Sequence, residues 1–371
     1  MKKLASLFIT LFCVAQLSSQ TSFQKTYGVG KGQSIQITND KGFILMGYEE
    51  GQVGLMGICK TDSMGVMQWS STFGSNPNFM YGYCARQTTD GGYILAGNLI
   101  YSTNQTDNIV LIKLSATGVI QWHKYYNYFG TIAQGFSVQQ TNDGGYILVG
   151  QNYANSLILK TDANGNMLWA KSITNMAIAK CIQKTSNGGF VIAGYGSAPT
   201  GSAGFDFSLI KIDSSGNLLW SKTFGGIDRD LANSVKETSD GGYIIAGTTE
   251  SYGVGAEDVY LVKTDSAGNL TWAKTFGGTL ADRGNDVIQT TDGGFAIAGT
   301  TNSYGVGNSY DAYLIKTDAL GTLQWSKTFG DMGDEMAASL VQTHDGGFAV
   351  YAYTTSSFAL YNKPNMYLIK T

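Results

Sequence analysis

Hydrophobic and polar positions along this chain recur as a block. Seven times a polar residue and a glycine turn open a short apolar run: DKGFILMG, DGGYILAG, DGGYILVG, NGGFVIAG, DGGYIIAG, DGGFAIAG and DGGFAVYA. The blocks begin at Asp40, Asp90, Asp143, Asn187, Asp240, Asp292 and Asp345, at spacings of 50, 53, 44, 53, 52 and 53 residues. A period near 50 marks one supersecondary unit copied along a stack or around a ring. The best-preserved unit, 231–278, holds four short runs rich in β-branched and aromatic residues, at 233–238, 243–248, 259–264 and 270–276. Between them lie Ser-Asp-Gly-Gly, a longer Gly-rich stretch and Asp-Ser-Ala-Gly-Asn. Gly and Asn accept positive φ and Asp bonds its own backbone two residues on, so these are hairpin signals. No segment keeps a helical period, and only 3 prolines occur. Each unit is therefore expected to form four antiparallel strands with tight, long and tight connections.

The tryptophans set the number of units. Trp69, Trp122, Trp169, Trp220, Trp272 and Trp325 each fall in the fourth run of a unit, and the chain has no others. The seventh unit, starting near Ala337, reaches only its third run, 366–370, before Thr371. The missing run lies at the other end: Phe23-Gln24-Lys25-Thr26-Tyr27-Gly28 reads like Trp220-Ser221-Lys222-Thr223-Phe224-Gly225, with Phe23 in the tryptophan place. An amino-terminal strand that completes the last unit closes a ring and removes the open sheet edges. The expected fold is all-β, a seven-bladed β-propeller of four-stranded antiparallel blades filling 21–371 as one domain. Trp and Phe23 are read as docking residues between blades, since a Trp in every blade buries on the order of 200 Å² against the next. The Gly-Gly pairs are read as turns and not phosphate loops, because no helix follows them.

Residues 1–20 stand apart from the repeats. Lys2 and Lys3 precede the apolar stretch 4–14, and small and polar residues follow to Gln20. This reads as an export signal too short to remain as an anchor, with cleavage after Ala15, Ser19 or Gln20. Cys13 fits a lipid-attachment site poorly because bulky Phe12 precedes it. The expected location is outside the cytoplasm: secreted, periplasmic or on the outer surface. No transmembrane segment is expected in the mature chain, which reads as a monomer. Removing Lys2 and Lys3 takes the formal net charge from −3 to −5, which leaves no footprint for nucleic acid or anionic lipid. Cys59, Cys84 and Cys181 read as small buried thiols, with Cys84 and Cys181 in equivalent places of blades two and four, too far apart to bond.

Candidate chemistry is sparse. His123 and His344 are the only histidines and neither has a repeating partner; no nucleophile–base arrangement or metal-spaced His/Cys cluster can be assembled. Asp162-Ala163-Asn164-Gly165 resembles the start of a calcium loop without the closing Glu. Carboxylates are numerous enough to leave a glycosidase-like pair open as an alternative. In a propeller, connections after the second and fourth strands emerge on one face, so that face collects the long variable loops on which binding residues tend to sit. It presents Phe79, Tyr81, Tyr101, Tyr128, Phe129, Tyr252, Tyr304 and Tyr361 beside Asp228, Asp230, Asp282, Asp334 and Glu335. Asp230 and Asp282, like Asp206, Asp258 and Asp311, recur in register and read as loop caps. The non-repeating Tyr101, Phe129 and Tyr361, with Phe79, Tyr81 and Tyr128, are the ligand-binding candidates. The reading is a non-catalytic binding or scaffold protein whose partner is a glycan or another surface protein. No cofactor is specified, although calcium among the acids is open.

The combination DGGYIIAGTT, then DVYLVKTDSAGNLTWAKTFGG, resembles a repeat of exported bacterial propeller proteins. KTDSAGNLTW is also similar to the tryptophan-docking motif of quinoprotein-type blades, where an Asp, a Gly and a Trp lock neighbours together. The resemblance covers 23–371 in all seven units. Quinoprotein dehydrogenases would imply a bound quinone, a calcium ion and usually an eighth blade; this chain has seven units and no adjacent cysteine pair, so that activity is not carried over. A Kelch-like assignment fails as well, because there the Gly pair follows the second strand and here it precedes it.

Overall fold

The structure is a computed structural model that describes residues 22–49, 54–74, 77–101, 107–127, 133–152, 155–174, 176–197, 204–307, 309–355 and 364–371. Among these, seven four-stranded antiparallel sheets form a ring. Six blades take their strands consecutively from the chain, the first over 31–73 and the sixth over 282–329. The seventh runs Glu335–Gln342, Phe348–Thr354 and Asn365–Lys370, and its outer strand is Phe23–Val29. Phe23 lies opposite Lys370 and Thr26 opposite Tyr367, so the amino-terminal strand closes the ring as its sequence predicts. The best-preserved unit differs from expectation most at its inner strand, Asp230–Glu237, which starts three residues earlier because Asp230 already pairs with Thr249; its second and third strands, Tyr243–Thr249 and Asp258–Thr264, are each one residue longer than expected.

Each blade binds the next through the repeated residues. Trp272 of blade five lies on the turn of blade six at Gly321, where φ is +75° and a Cβ would come within 2.7 Å of the indole. Trp69, Trp122, Trp169 and Trp220 lie likewise on Gly118, Gly165, Gly216 and Gly268, and Phe23 lies on Gly65. Glycine is required there both by the left-handed backbone and by the ring beneath it. Trp69, Trp122 and Trp272 also meet the second strand of the next blade edge-on, Trp272 meeting Phe295 with centroids 5.8 Å apart. Two residues on, a lysine reaches the same turn: Lys222 Nζ donates to Asn269 Oδ1 at 3.1 Å. Blade seven has no such turn, since its two outer strands are opposite ends of the chain. A groove of about 910 Å³ opens there beside Trp325 and Lys327.

A second lock explains the pairing of the DGG and K-T motifs. The turn aspartate accepts the Thr hydroxyl two residues before it and the N–H of the second glycine, then receives a lysine from the third strand. Asp240 is the type case, with Thr238 Oγ1 at 2.5 Å, Gly242 N–H at 3.0 Å and Lys263 Nζ at 2.8 Å. The pair recurs as Lys60–Asp40, Lys113–Asp90, Lys160–Asp143, Lys316–Asp292 and Lys370–Asp345. In blade four Asn187 takes the acid's place and Lys211 donates to its Oδ1 at 3.0 Å. The lysines are buried while most of the acids face solvent, so the acid serves chiefly to neutralise a desolvated ammonium.

Burial alone would raise the Asp240 carboxyl, but the lysine and threonine bonds and the Gly242 N–H outweigh it and hold the group at about 2. Asp90, Asp143, Asp292 and Asp345 stand at about 2 for the same reasons, and Asp40 is lowered as well. A carboxyl depressed on folding contributes stability above its unfolded value, about 4, and loses it as pH falls through the folded value. The melting temperature is therefore expected to fall steeply between pH 4 and about pH 2, and Asp240→Asn should shrink that fall. Asp107, Asp206 and Asp311 are shifted the other way, raised first by burial, so they gain stability as pH falls toward about 4 and have no further gain to set against the drop below it. A melting temperature flat down to pH 2 would show that the locks carry no net stability.

Candidate functional site

The recurring acids of the long-loop face shape the loops themselves. Asp230 Oδ2 accepts Gly226 N–H and Ser251 Oγ, both at 2.8 Å; Asp282 Oδ2 accepts Gly278 N–H at 2.8 Å and Ser303 Oγ at 2.6 Å. Asp258 Oδ2 accepts Val254 and Gly255 N–H at 2.9 and 3.0 Å. Tyr252 and Tyr304 donate to Gly225 O and Gly277 O, each at 2.7 Å. Carboxylates also converge in pairs at the blade seams: a Cβ on Gly225 would come within 2.2 Å of Asp206 Oδ1 and 2.7 Å of Asp230 Oδ2. Asp206, Asp230, Asp282 and Asp311 each keep one buried oxygen, Oδ1, with no hydrogen-bond partner. Among the described residues no group of three or more His, Cys, Asp or Glu could hold a metal ion.

The predicted aromatic candidates separate. Tyr128, Phe129 and Tyr361 lie outside the described residues. Tyr101 packs half-buried on the core between blades one and two, with Met56, Met80 and Leu99. Phe79 and Tyr81 close over Gly54 of blade one, and from there aromatic rings lead inward. Tyr81 meets Tyr48 edge-on at 4.8 Å between centroids, Tyr48 meets Tyr83 at 5.9 Å, and Tyr83 meets Phe136 at 5.2 Å. Phe136 carries the Lys180 ammonium 4.4 Å over its ring.

This chain of rings ends in the axial channel, at a position that simple alternation of strand residues does not reveal. The inner strand of every blade carries a β-bulge at one equivalent place, where the pairing skips a residue: between Gly32 and Ser34, Gly82 and Cys84, Gly135 and Ser137, and so on around the ring. The skipped residues are Gln33, Tyr83, Phe136, Lys180, Asn233, Asn285 and Ala338. A bulge re-aims its extra residue, and all seven line one axial pocket of about 340 Å³ together with Met336 and Tyr353. Asn233 Nδ2 donates to Gly284 O at 2.8 Å and Asn285 Nδ2 to Ala337 O at 2.7 Å, which leaves each Oδ1 without a donor among the described residues. The pocket thus has an aromatic wall from blades two and three, a cation from blade four and amide acceptors from blades five and six.

The next layer along the axis is charged. Asp286, the one acid at a position otherwise Ser or Cys, accepts Ser234 Oγ at 2.6 Å, Val287 N–H at 2.9 Å, Ser339 Oγ at 2.8 Å and Leu340 N–H at 3.1 Å. Lys236 Nζ stands 3.4 Å from it. Burial pushes the Asp286 carboxyl up, but Lys236 and these bonds outweigh it and hold it below the ordinary carboxylate range. Arg86 lies near the same carboxylate and makes one hydrogen bond, NH1 to Ala85 O at 3.3 Å. Cys59, Cys84 and Cys181 are buried free thiols. No described helix is long and apolar enough to cross a membrane.

No protein-family profile matches the chain. The regulatory protein FlaEY of Caulobacter vibrioides is 27% identical over 153 residues, which is 35% of this chain and 16% of that protein. Among solved structures, a streptogramin B lyase superposes with a TM-score of 0.59 at 12% identity, covering 94% of this chain and 97% of the lyase. A catalytically inactive virginiamycin B lyase from Staphylococcus aureus, with quinupristin, gives 0.58 at 10% identity over 95% of this chain and 99% of its own. The Pan2 WD40 domain of Neurospora crassa gives 0.58 at 11% identity over 91% and 89%. At such identities the likeness is one of fold: a ring of blades that serves lyases and a WD40 domain alike.

Proposed function

We propose that this is an exported, non-catalytic binding protein that takes a glycan at the long-loop end of its axial channel. The observation that carries the reading is the run of rings from Phe79 and Tyr81 through Tyr48 and Tyr83 to Phe136, ending in a pocket with amide acceptors on its far side. Aromatic faces against apolar ring surfaces, with a few fixed polar groups setting orientation, suit a small-molecule or sugar site of this size. Export is supported by Lys2, Lys3 and the apolar stretch after them.

A glycan screen tests the reading. Tyr81→Ser with Tyr83→Ser should reduce binding at least tenfold, and because both rings pack on neighbours, a melting curve that stays cooperative shows that the fold survives the change. Replacement of Tyr101, Phe129 and Tyr361 by Ser tests the remaining aromatic candidates of the sequence, and Tyr101 adds a packing cost because of its place on the core. Binding that survives both sets, and is lost instead by changes on the tight-turn face near Asn166 or Asn269, would move the site to the opposite face. The screen is run with calcium and with a chelator, since the unpartnered oxygens of Asp206, Asp230, Asp282 and Asp311 are donors a cation would use. A second reading, a protein partner, is favoured by the apolar tips Ile227, Val254 and Met332 on the loops of blades four to seven, 78%, 77% and 86% exposed.

A further inference from the structure

The axis of this acidic chain is positively charged. Arg86 and Lys236 stand near Asp286, and Lys180 lines the axial pocket beside them, while the whole sequence carries a formal net charge of −3. Asp286 already serves Lys236 and four uncharged donors. Lys180 has no share of it: its ammonium touches the Phe136 ring and makes no hydrogen bond or ion pair with any described residue. Burial pushes its pKa down, with no opposing contribution from a carboxylate. At the channel mouth Arg283 is paired with Glu257 at 2.5 Å, and Lys31 stands over Tyr353. A desolvated charge without a counter-ion is costly, and of the seven bulge residues only Lys180 is charged.

Resting on the glycan reading above, we propose that the axial pocket binds a monosaccharide-sized sugar carboxylate, with its carboxylate on Lys180 and its ring against Phe136 and Tyr83. The far wall selects for hydroxyl groups. Asn233 Oδ1 and Asn285 Oδ1 lack donors and so accept from a sugar, whereas a bare phosphate or sulfate would meet them acceptor to acceptor. A pocket of about 340 Å³ holds one such ring. The same chemistry is offered by a free sugar acid and by the terminal uronate of a glycan.

Titration calorimetry at low ionic strength with sodium glucuronate, an oligomer ending in glucuronate, and glucose tests this directly. Glucuronate should bind at least tenfold tighter than glucose. Lys180→Met should remove that preference, Lys180→Arg should keep it, and melting of Lys180→Met should be no lower than that of the parent, which shows that the fold survives. If glucuronate fails to bind, binds no better than glucose, or keeps its advantage in Lys180→Met, the inference is overturned. Binding of free glucuronate but not of the oligomer assigns the pocket to a free sugar acid and counts against the glycan reading. Neutral glycans that depend on Tyr81 and Tyr83 but show no charge preference would uphold the glycan reading and remove the carboxylate.

Discussion

Deleting residues 21–28 is expected to abolish the single cooperative melting transition and to leave an aggregation-prone protein. The closing strand contributes more than its ladder with Asn365–Lys370. Phe23 lies under the Gly65 turn of blade one, Lys25 Nζ donates to Met64 O at 2.8 Å, and Tyr27 donates its hydroxyl to Gly65 O at 2.6 Å. One strand thus completes blade seven and pins blade one to it. Loss of two largely covered rings removes on the order of 3 kcal/mol of apolar burial. The hydrogen bonds and the newly open sheet edge add to this, against a total stability of about 5–15 kcal/mol for a typical domain. Calorimetry and light scattering of the truncated protein check the result. An unchanged transition and a monodisperse protein would mean that the ring holds without its clasp.

Trp272→Ala is expected to cost about 3 kcal/mol, toward the lower end for a large aromatic because part of the indole remains exposed. The ring covers Gly321 on one side and meets Phe295 on the other, so no neighbour can collapse into its place without moving a turn held in left-handed geometry. Trp325→Ala supplies the internal control. Trp325 keeps its contact with Phe348, at 5.9 Å between centroids, but faces the open groove where blade seven lacks the turn. Its replacement should cost about half as much, since among the described residues no glycine turn covers the ring and the Lys327 ammonium stands over it. Chemical denaturation of both variants separates the two. Equal losses would show that the glycine turn adds nothing to the tryptophan lock, and loss of a ligand without loss of stability would reassign Trp272 from packing to binding.

Blade number, closure and the role of the turns were legible because each is written as a local signal and then repeated. Gly-Gly before an apolar run needs only the chemistry of a hairpin, and FQKTYG can be matched to WSKTFG without knowing where either lies. The link between the DGG aspartate and the K-T lysine is not legible in the sequence, although both recur in nearly every unit, because Asp240 and Lys263 lie on separate strands and turns that only the sheet brings together. The long-loop acids are legible as caps from their recurrence, and the structure gives donors to Asp230, Asp258, Asp282 and Asp311, while Asp206 accepts from no described residue.

What the sequence by itself determined is the ring: its seven units, its four strands per unit and the strand that closes it follow from periodic residues whose partners are the same in every copy. What only the tertiary structure decided is which residues meet at the axis. Gln33, Tyr83, Phe136, Lys180, Asn233, Asn285 and Ala338 form one column of the repeat, but beyond the two asparagines no residue recurs there, so the column carries no consensus. Strict alternation along a strand places a residue on one of two faces, and a bulge adds a residue outside that count. Seven such bulges, brought together by closure of the ring, make a pocket from side chains that lie tens of residues apart in the chain.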